Sequence, residues 1–376
     1  MVMRSTAQVV ETMLDANRLS ELCGRAVQAT RIRVKPDTSV AVALAARDDT
    51  ADPVGWARVL WPIGRSKALK AASAAQRRGV PVVCREIGDG LLAQHGGLLA
   101  DPKLGGHLAR ARLAGLLDLG AEQRVLRYNP LRRLVVGYRE HVIRVSADTD
   151  PLGLRFHRFV AQSVPVPERL DAAADRHIGV LGFVGSTDLS RRADPAATRA
   201  AGRALAALHM SIGRLPAELG TKLAGRVSDP IRQAAAHAGI FDVLAPELAR
   251  RVRELAARAE VTGLGEPVLS HGDASPDQVL FDPGTGLVWL TDFDRACLAP
   301  PAVDLGSYLS MVDEDTGQAL LAGYRAAAGA LPDAGQLRRA RTRAMLLRLA
   351  DPLRAAAPDW RTQISSGLDK LAEAIG

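Results

Sequence analysis

The segment VLSHGDASPDQVLFDPGTGLVWLTDFDRACLAPPAVDLGSYL (268–309) restricts the fold of this chain more than any other. Two short apolar runs, Val279–Phe281 and Leu287–Leu290, flank Asp282-Pro283-Gly284-Thr285-Gly286, residues that favour a turn. The spacing predicts an antiparallel hairpin, and a hairpin brings its two ends together. Asp273 and Gln278 precede it, and Asp292 and Asp294 follow it. Asp273, Gln278 and Asp292 are therefore expected to converge. Clustered carboxylates repel one another unless a cation lies among them, and an all-oxygen donor set suits Mg²⁺.

Around this hairpin the periodicity changes along the chain. Residues 5–28 read as one helix with Ser5 or Thr6 as its cap. TRIRVKPDTSVAVALAA (30–46) gives two strands around Lys35-Pro36-Asp37, followed by strands at 56–62 and 81–87 and helices at 65–78 and 104–119. RVLRYNPLRRLVVGY (124–138) resembles 31–44, with Arg127 and Pro130 matching Arg33 and Pro36. It predicts a second hairpin, joined to a third strand (141–147) by a turn at Arg139-Glu140. A helix over 151–162, the extended Val164-Pro165-Val166-Pro167 and a strand over 178–185 follow. Beyond about residue 190 the pattern is helical, over 197–210, 229–240, 245–260, 315–329, 335–356 and 360–375. The expected architecture is α+β and bilobal. A cap subdomain covers 1–120, a β-rich N-lobe 121–186, and a mainly helical C-lobe 187–376, with a cleft near 180–188.

Composition removes several classes of function. Of 376 residues, 47% are hydrophobic, enough for a real core, but only 4% are aromatic, so Leu, Val, Ala and Ile must build it. The net charge of +8 comes from dispersed arginines. Basic runs are as short as Arg132-Arg133 and Arg191-Arg192 and carry no interleaved aromatics, which argues against nucleic acid as a partner. Cys23, Cys84 and Cys297 are far apart with no CxxC pair, as in a cytoplasmic protein without a disulfide framework. The N-terminus, broken by Arg4, Glu11 and Asp15, lacks a signal-peptide core, and no run reaches the ~18 apolar residues of a membrane span. His141, His157, His177 and His209 show no metal-ligand spacing and read as surface or packing residues. Trp56, Trp61, Trp289 and Trp360 read as core anchors, and Cys297 as a packing residue.

HGDASPDQ (271–278) resembles the H-G-D-x-x-x-x-N catalytic loop of the aminoglycoside phosphotransferase and choline kinase family. TDFD (291–294) is similar to its metal-binding motif, the counterpart of the protein-kinase D-F-G, and Asp304-Leu305 to the D-L-A/G that follows. AGRALAALH (201–209), VPVP (164–167) and GYRAAAG (323–329) also resemble family segments, so the likeness spans about 124–376. Residues 1–120 resemble the cap of actinobacterial maltokinase-like relatives. The resemblance implies a protein-kinase-like fold that moves the γ-phosphoryl group of ATP, with Mg²⁺, to a hydroxyl of a sugar, aminoglycoside or related metabolite. It makes Asp273 the catalytic residue that orients the hydroxyl and takes its proton. Asp292 and Gln278 become metal ligands, the latter where the family has Asn. His271 and Asp304 become structural parts of the loop, and Asp294 a substrate contact or a support.

Two departures concern the nucleotide. Arg144 stands where the family has a phosphate-binding Lys, and the helix over 151–162 has no acid to orient it, leaving Asp148, Asp150 or Glu168 as substitutes. No glycine-rich loop covers the phosphates. The turn over 128–133 takes its place and offers Arg132 and Arg133. These changes carry a second expectation, a weakly catalytic pseudokinase acting as a nucleotide-binding module. Asp313, Glu314 and Asp315 are expected either in the acceptor pocket or on a solvated helix face.

Overall fold

The computed structural model describes residues 5–47, 53–118, 123–149, 152–170 and 175–376. The expected boundary at 120/121 and Asp150 lie outside the described residues. Ser5 caps α1 (Thr6–Leu14) in a reciprocal arrangement with Gln8. The single helix expected over 5–28 is in fact two. Asp15 is extended, and its carboxylate accepts the N–H groups of Asn17 and Arg18 to start α2 (Ala16–Cys23).

Strands β1 (Val27–Lys35), β2 (Ser39–Ala46) and β3 (Pro53–Leu60), helix α3 (Pro62–Arg77), and strands β4 (Val82–Glu86) and β5 (Leu92–Gly96) follow. They make an antiparallel sheet in the order β1-β2-β3-β5-β4. The short β5 lies outside the strands expected from the sequence. After α4 (Gly105–Leu113), the chain repeats the scheme with β6 (Gln123–Asn129), β7 (Arg133–Tyr138), β8 (His141–Ser146), α5 (Gly153–Ala161), β9 (Arg169–Leu170) and β10 (Ile178–Gly182). The order β6-β7-β8-β10-β9 has the same topology. Both opening hairpins turn at a proline followed by a left-handed residue, Asp37 (φ 50°) in one and Leu131 (φ 63°) in the other. The similarity of 31–44 to 124–138 is thus the local trace of two sheets built alike.

The remainder is helical around small strands. It comprises β11 (Thr187–Asp188), α6 (Pro195–Met210), α7 (Ala217–Leu223), α8 (Pro230–Leu244), α9 (Pro246–Arg258), β12 (Val268–Ser270), β13 (Val279–Asp282), β14 (Leu287–Leu290) and β15 (Cys297–Ala299). Helices α10 (Pro301–Leu309), α11 (Glu314–Ala328), α12 (Ala334–Arg348), α13 (Asp351–Arg354) and α14 (Trp360–Ile375) complete the chain. The helix expected over 335–356 breaks after Arg348, because Pro352 has no N–H to return to that turn.

Among the described residues, three large cores bind these parts. Leu134, Val136, Ile143 and Val145 of the second sheet pack with Trp56, Leu104 and Leu108. Val9, Met13 and Val42 join Phe241, Trp360 and Leu368, so the beginning of the chain packs on its end. The third core lies under the hairpin and contains Leu205, Leu269, Val279, Leu290 and Tyr324. Trp56 and Trp360 are fully buried anchors, whereas Trp61 and Trp289 are only half-buried. Among the described residues no helix is long and apolar enough to cross a membrane.

Candidate active site

The β13–β14 register pairs Val279 with Leu290, so Gln278 and Thr291 meet at the open end of the hairpin. The Thr291 N–H donates to the Gln278 carbonyl at 3.0 Å and its hydroxyl donates there at 3.1 Å. Gln278 and Asp292 are therefore fixed side by side at one end, as the hairpin spacing requires. Asp292 adopts a left-handed backbone (φ 58°), a costly conformation for a non-glycine residue outside a turn and one that recurs where function holds it in place.

Asp273 reaches the same region by a second pairing. β12 and β15 pair Ser270 with Cys297, folding the 271–273 loop onto 295–297. Gly272 permits this approach. Its φ is +79°, and a Cβ there would sit 2.0 Å from the Arg295 carbonyl oxygen. Asp304, fully buried in the first turn of α10, holds the loop. Its oxygens accept the backbone N–H of His271 at 2.7 Å and of Gly272 at 2.8 Å. His209 Nε2 lies 3.0 Å from Asp304, and its Nδ1 is 2.9 Å from the Tyr324 hydroxyl. Burial pushes the Asp304 carboxyl up, but the His209 hydrogen bond, the nearby histidines and the backbone donors outweigh it and hold the pKa below its ordinary value. His271 donates from Nε2 to the Thr291 carbonyl at 2.7 Å, tying the loop to the hairpin end.

The second sheet closes the site from the other side. In β7 and β8, Leu134, Val136, Ile143 and Val145 face the core, so Arg133 and Arg144 share the opposite face. Arg133 Nη1 lies 2.9 Å from Asp292 and 3.0 Å from Asp294. Arg144 Nη1 is 3.6 Å from Asp292, and its Nη2 donates to Asp294. Burial pushes Asp292 up, yet the charges of Arg133 and Arg144 and the Arg133 hydrogen bond bring its pKa down to about 2. The two arginines of the turn separate here. Arg132 is exposed and makes no ion pair with Asp292 or Asp294, because it precedes the strand while Arg133 begins it.

Sequence reasoning missed two partners of Asp273. Arg348 donates to Asp273 Oδ1 at 3.1 Å while anchored on the Ser307 carbonyl (2.9 Å), the Ser307 hydroxyl (3.1 Å) and the Ser310 hydroxyl (3.2 Å). Arg295 Nη1 lies 3.6 Å from Asp273 Oδ2. Arg295 follows the DFD motif directly, whereas no sequence signal links Arg348, on α12, to residue 273. A small cavity is lined by Asp273 itself with Ser307, Arg343, Leu347 and Arg348, so its charged wall carries two guanidinium groups and one carboxylate. Asp313, Glu314 and Asp315 are exposed, and Asp313 caps α11 through the Thr316 N–H. They fall on the solvated face because the helix start needs an acceptor there. Cys297 is buried, and burial together with Asp304 pushes its thiol up to about 12, which leaves it inert.

The donor set fits a hard divalent cation. The Asp292 carboxylate and the Gln278 amide oxygen belong to adjacent chain ends, and Asp292 is already neutralised by cationic groups.

A family model for the phosphotransferase enzyme family (APH) matches residues 153–341, which contain the whole 271–304 constellation. No curated protein matches the chain. Among solved structures, the GDP complex of aminoglycoside 2'-phosphotransferase-IIIa superposes with a TM-score of 0.51 at 19% identity, covering 73% of this chain and 98% of that one. A choline/ethanolamine kinase family protein from Mesorhizobium loti gives 0.49 at 18%, covering 72% and 94%. Macrolide 2'-phosphotransferase from Brachybacterium faecium gives 0.44 at 21%, covering 73% and 98%. The fold is the bilobal α+β fold of aminoglycoside 2'-phosphotransferase-IIIa, with a β-sheet N-lobe and a helical C-terminal region. Because the family match takes in half of the chain, this protein belongs to the phosphotransferase enzyme family.

Proposed function

We propose that the protein transfers the γ-phosphoryl group of ATP to a hydroxyl of a small molecule, with Mg²⁺ held by Asp292 and Gln278. The observation that carries this reading is the meeting of three chain segments. The hairpin end carrying Gln278 and Asp292 meets the sheet face carrying Arg133 and Arg144, and the loop carrying Asp273 folds onto Arg295, three residues past Asp292. Bound Mg²⁺ would neutralise phosphate charge. Arg133 and Arg144 turn from Asp292 and Asp294 onto phosphate oxygens, where a guanidinium can engage two oxygens at once. Asp273, steadied by Arg348 and Arg295, orients the acceptor hydroxyl and receives its proton. Since the transferred group passes through a loose transition state, alignment supplies most of the acceleration.

Cations on the acceptor side disfavour a polycationic substrate, so a neutral sugar or sugar-like metabolite is the preferred acceptor class. The test is ADP release from ATP and Mg²⁺ across a panel of hydroxylated metabolites. Tight nucleotide binding with no turnover on any of them would overturn the enzymatic reading. The second reading, a nucleotide-binding module, is favoured by the arginines that already neutralise Asp292. A module of that kind would be indifferent to Asp273→Asn in every binding and regulatory assay.

A further inference from the structure

We propose that His107, Asp175 and His177 form a binding site for a divalent transition-metal ion of the zinc type, outside the cleft. One potential ligand atom from each residue lies within 4.8 Å of the others. His107 comes from α4, while Asp175 and His177 precede β10 of the second sheet, so their convergence is a product of the tertiary fold.

Each potential ligand is already held by a hydrogen bond within the fold. Asp175 Oδ1 accepts the backbone N–H of His177 at 3.0 Å, which turns Oδ2 toward His107 Nδ1, 2.8 Å away. His177 Nδ1 lies 3.1 Å from the Ser146 carbonyl oxygen. A carbonyl only accepts, so Nδ1 carries the proton and Nε2 keeps a lone pair, the tautomer a metal ligand needs. The His107 and His177 rings stack at 3.9 Å, and the His107 and Asp175 side chains are largely buried.

The occupant now present does not satisfy the site. Arg110 Nε donates to Asp175 Oδ2 at 2.7 Å, and its Nη2 lies 2.6 Å from His107 Nδ1. That single ring nitrogen faces a carboxylate oxygen and a guanidinium N–H together. Protonated, it opposes Arg110; unprotonated, it sets a lone pair against the carboxylate. A metal ion resolves the conflict by accepting both lone pairs. Arg110 is more than half exposed and can return to water. Two imidazoles and one carboxylate suit Zn²⁺ and its neighbours rather than Mg²⁺ or Ca²⁺, and a water completes a tetrahedral set. Such an ion would pin α4 to β10 and to the end of β8.

The test uses the full-length protein, stripped with a chelator and titrated with Zn²⁺ while its Tm is followed. A parallel titration with Co²⁺ is followed by visible absorption. Expected are one equivalent bound, a raised Tm and the absorption of tetrahedral Co²⁺. His107→Ala and His177→Ala weaken binding by more than about tenfold. Arg110→Ala tightens it, and Asp292→Asn, which alters the cleft, leaves it unchanged. No tetrahedral cobalt signal in the wild type would overturn the proposal. So would binding that survives both histidine variants, is lost in Asp292→Asn, or grows no tighter in Arg110→Ala. The wild-type spectrum and the Arg110→Ala titration decide the question even if the histidine variants fail to fold.

Discussion

Asp273 touches two arginines and a loop, and the proposed transfer asks of it only position and a proton-accepting oxygen. Asp273→Asn is expected to lower turnover by about 10²–10⁴-fold with nucleotide affinity nearly unchanged, read by steady-state kinetics beside nucleotide titration. Asp304 acts one step further away. It is fully buried and answers two backbone N–H groups and His209 at once. Asp304→Ala strands all three donors, and urea unfolding should show a loss of about 3–5 kcal/mol. If stability fell by less than 1 kcal/mol, the loop would owe its shape to something else.

Helix pairs set the limits at the next scale. α6 and α11 approach through Gly202 and Gly323, where an added Cβ would stand 2.2 Å from the Leu320 carbonyl oxygen and 2.0 Å from that of Arg199. Backbone cannot yield as a side-chain tip can, so Gly202→Ala should cost about 1–3 kcal/mol or more by forcing the helices apart. Gly239 in α8 gives the contrast. It is exposed, nothing lies within 4 Å of its would-be Cβ, and its φ is ordinary. Gly239→Ala should raise stability by about 0.5–1 kcal/mol through helix propensity alone, and thermal melts of the two variants should move in opposite directions. The repeated sheet scheme belongs to this scale as well. Pro36-Asp37 and Pro130-Leu131 set equivalent turns, yet it is the second sheet that turns a charged face to Asp292.

Two of the groups through which the whole molecule responds to acid are His237 and Asp292. His237 is fully buried in α8 and accepts from Gln233 and Arg354. Burial and the Arg354 charge lower its pKa from 6.5 to about 4. Its contribution is complete above about pH 6.5 and disappears as the pH falls through 4, because the unfolded chain binds the proton first; the loss is at most about 3 kcal/mol. Asp292, lowered from 3.8 to about 2, contributes above its ordinary value and loses that share as the pH falls toward 2. Melting temperature followed across pH should show the first decline flattened in His237→Gln and the second in Arg133→Gln. A wild-type curve level from pH 7 to 4 would contradict the assignment to His237.

What the sequence determined by itself is local and periodic. Apolar runs separated by turn residues dictate the 279–290 hairpin, and a hairpin's ends must meet, so the sequence alone sets Gln278 and Asp292 at adjoining ends. Period and caps likewise placed most helices. They missed the short α7 and α10, and the breaks where Asp15 and Pro352 end a helix from within an apolar pattern. Only tertiary structure chose which distant charges face each other. Arg348 stands 75 positions from Asp273, and His107 stands 68 from Asp175. Strand alternation, not the dipeptide Arg132-Arg133, decided which arginine reached the acids. The physical reason is range. Backbone sterics and hydrogen bonding act over a few residues and are written in short patterns, whereas burial joins whatever faces the packing brings together.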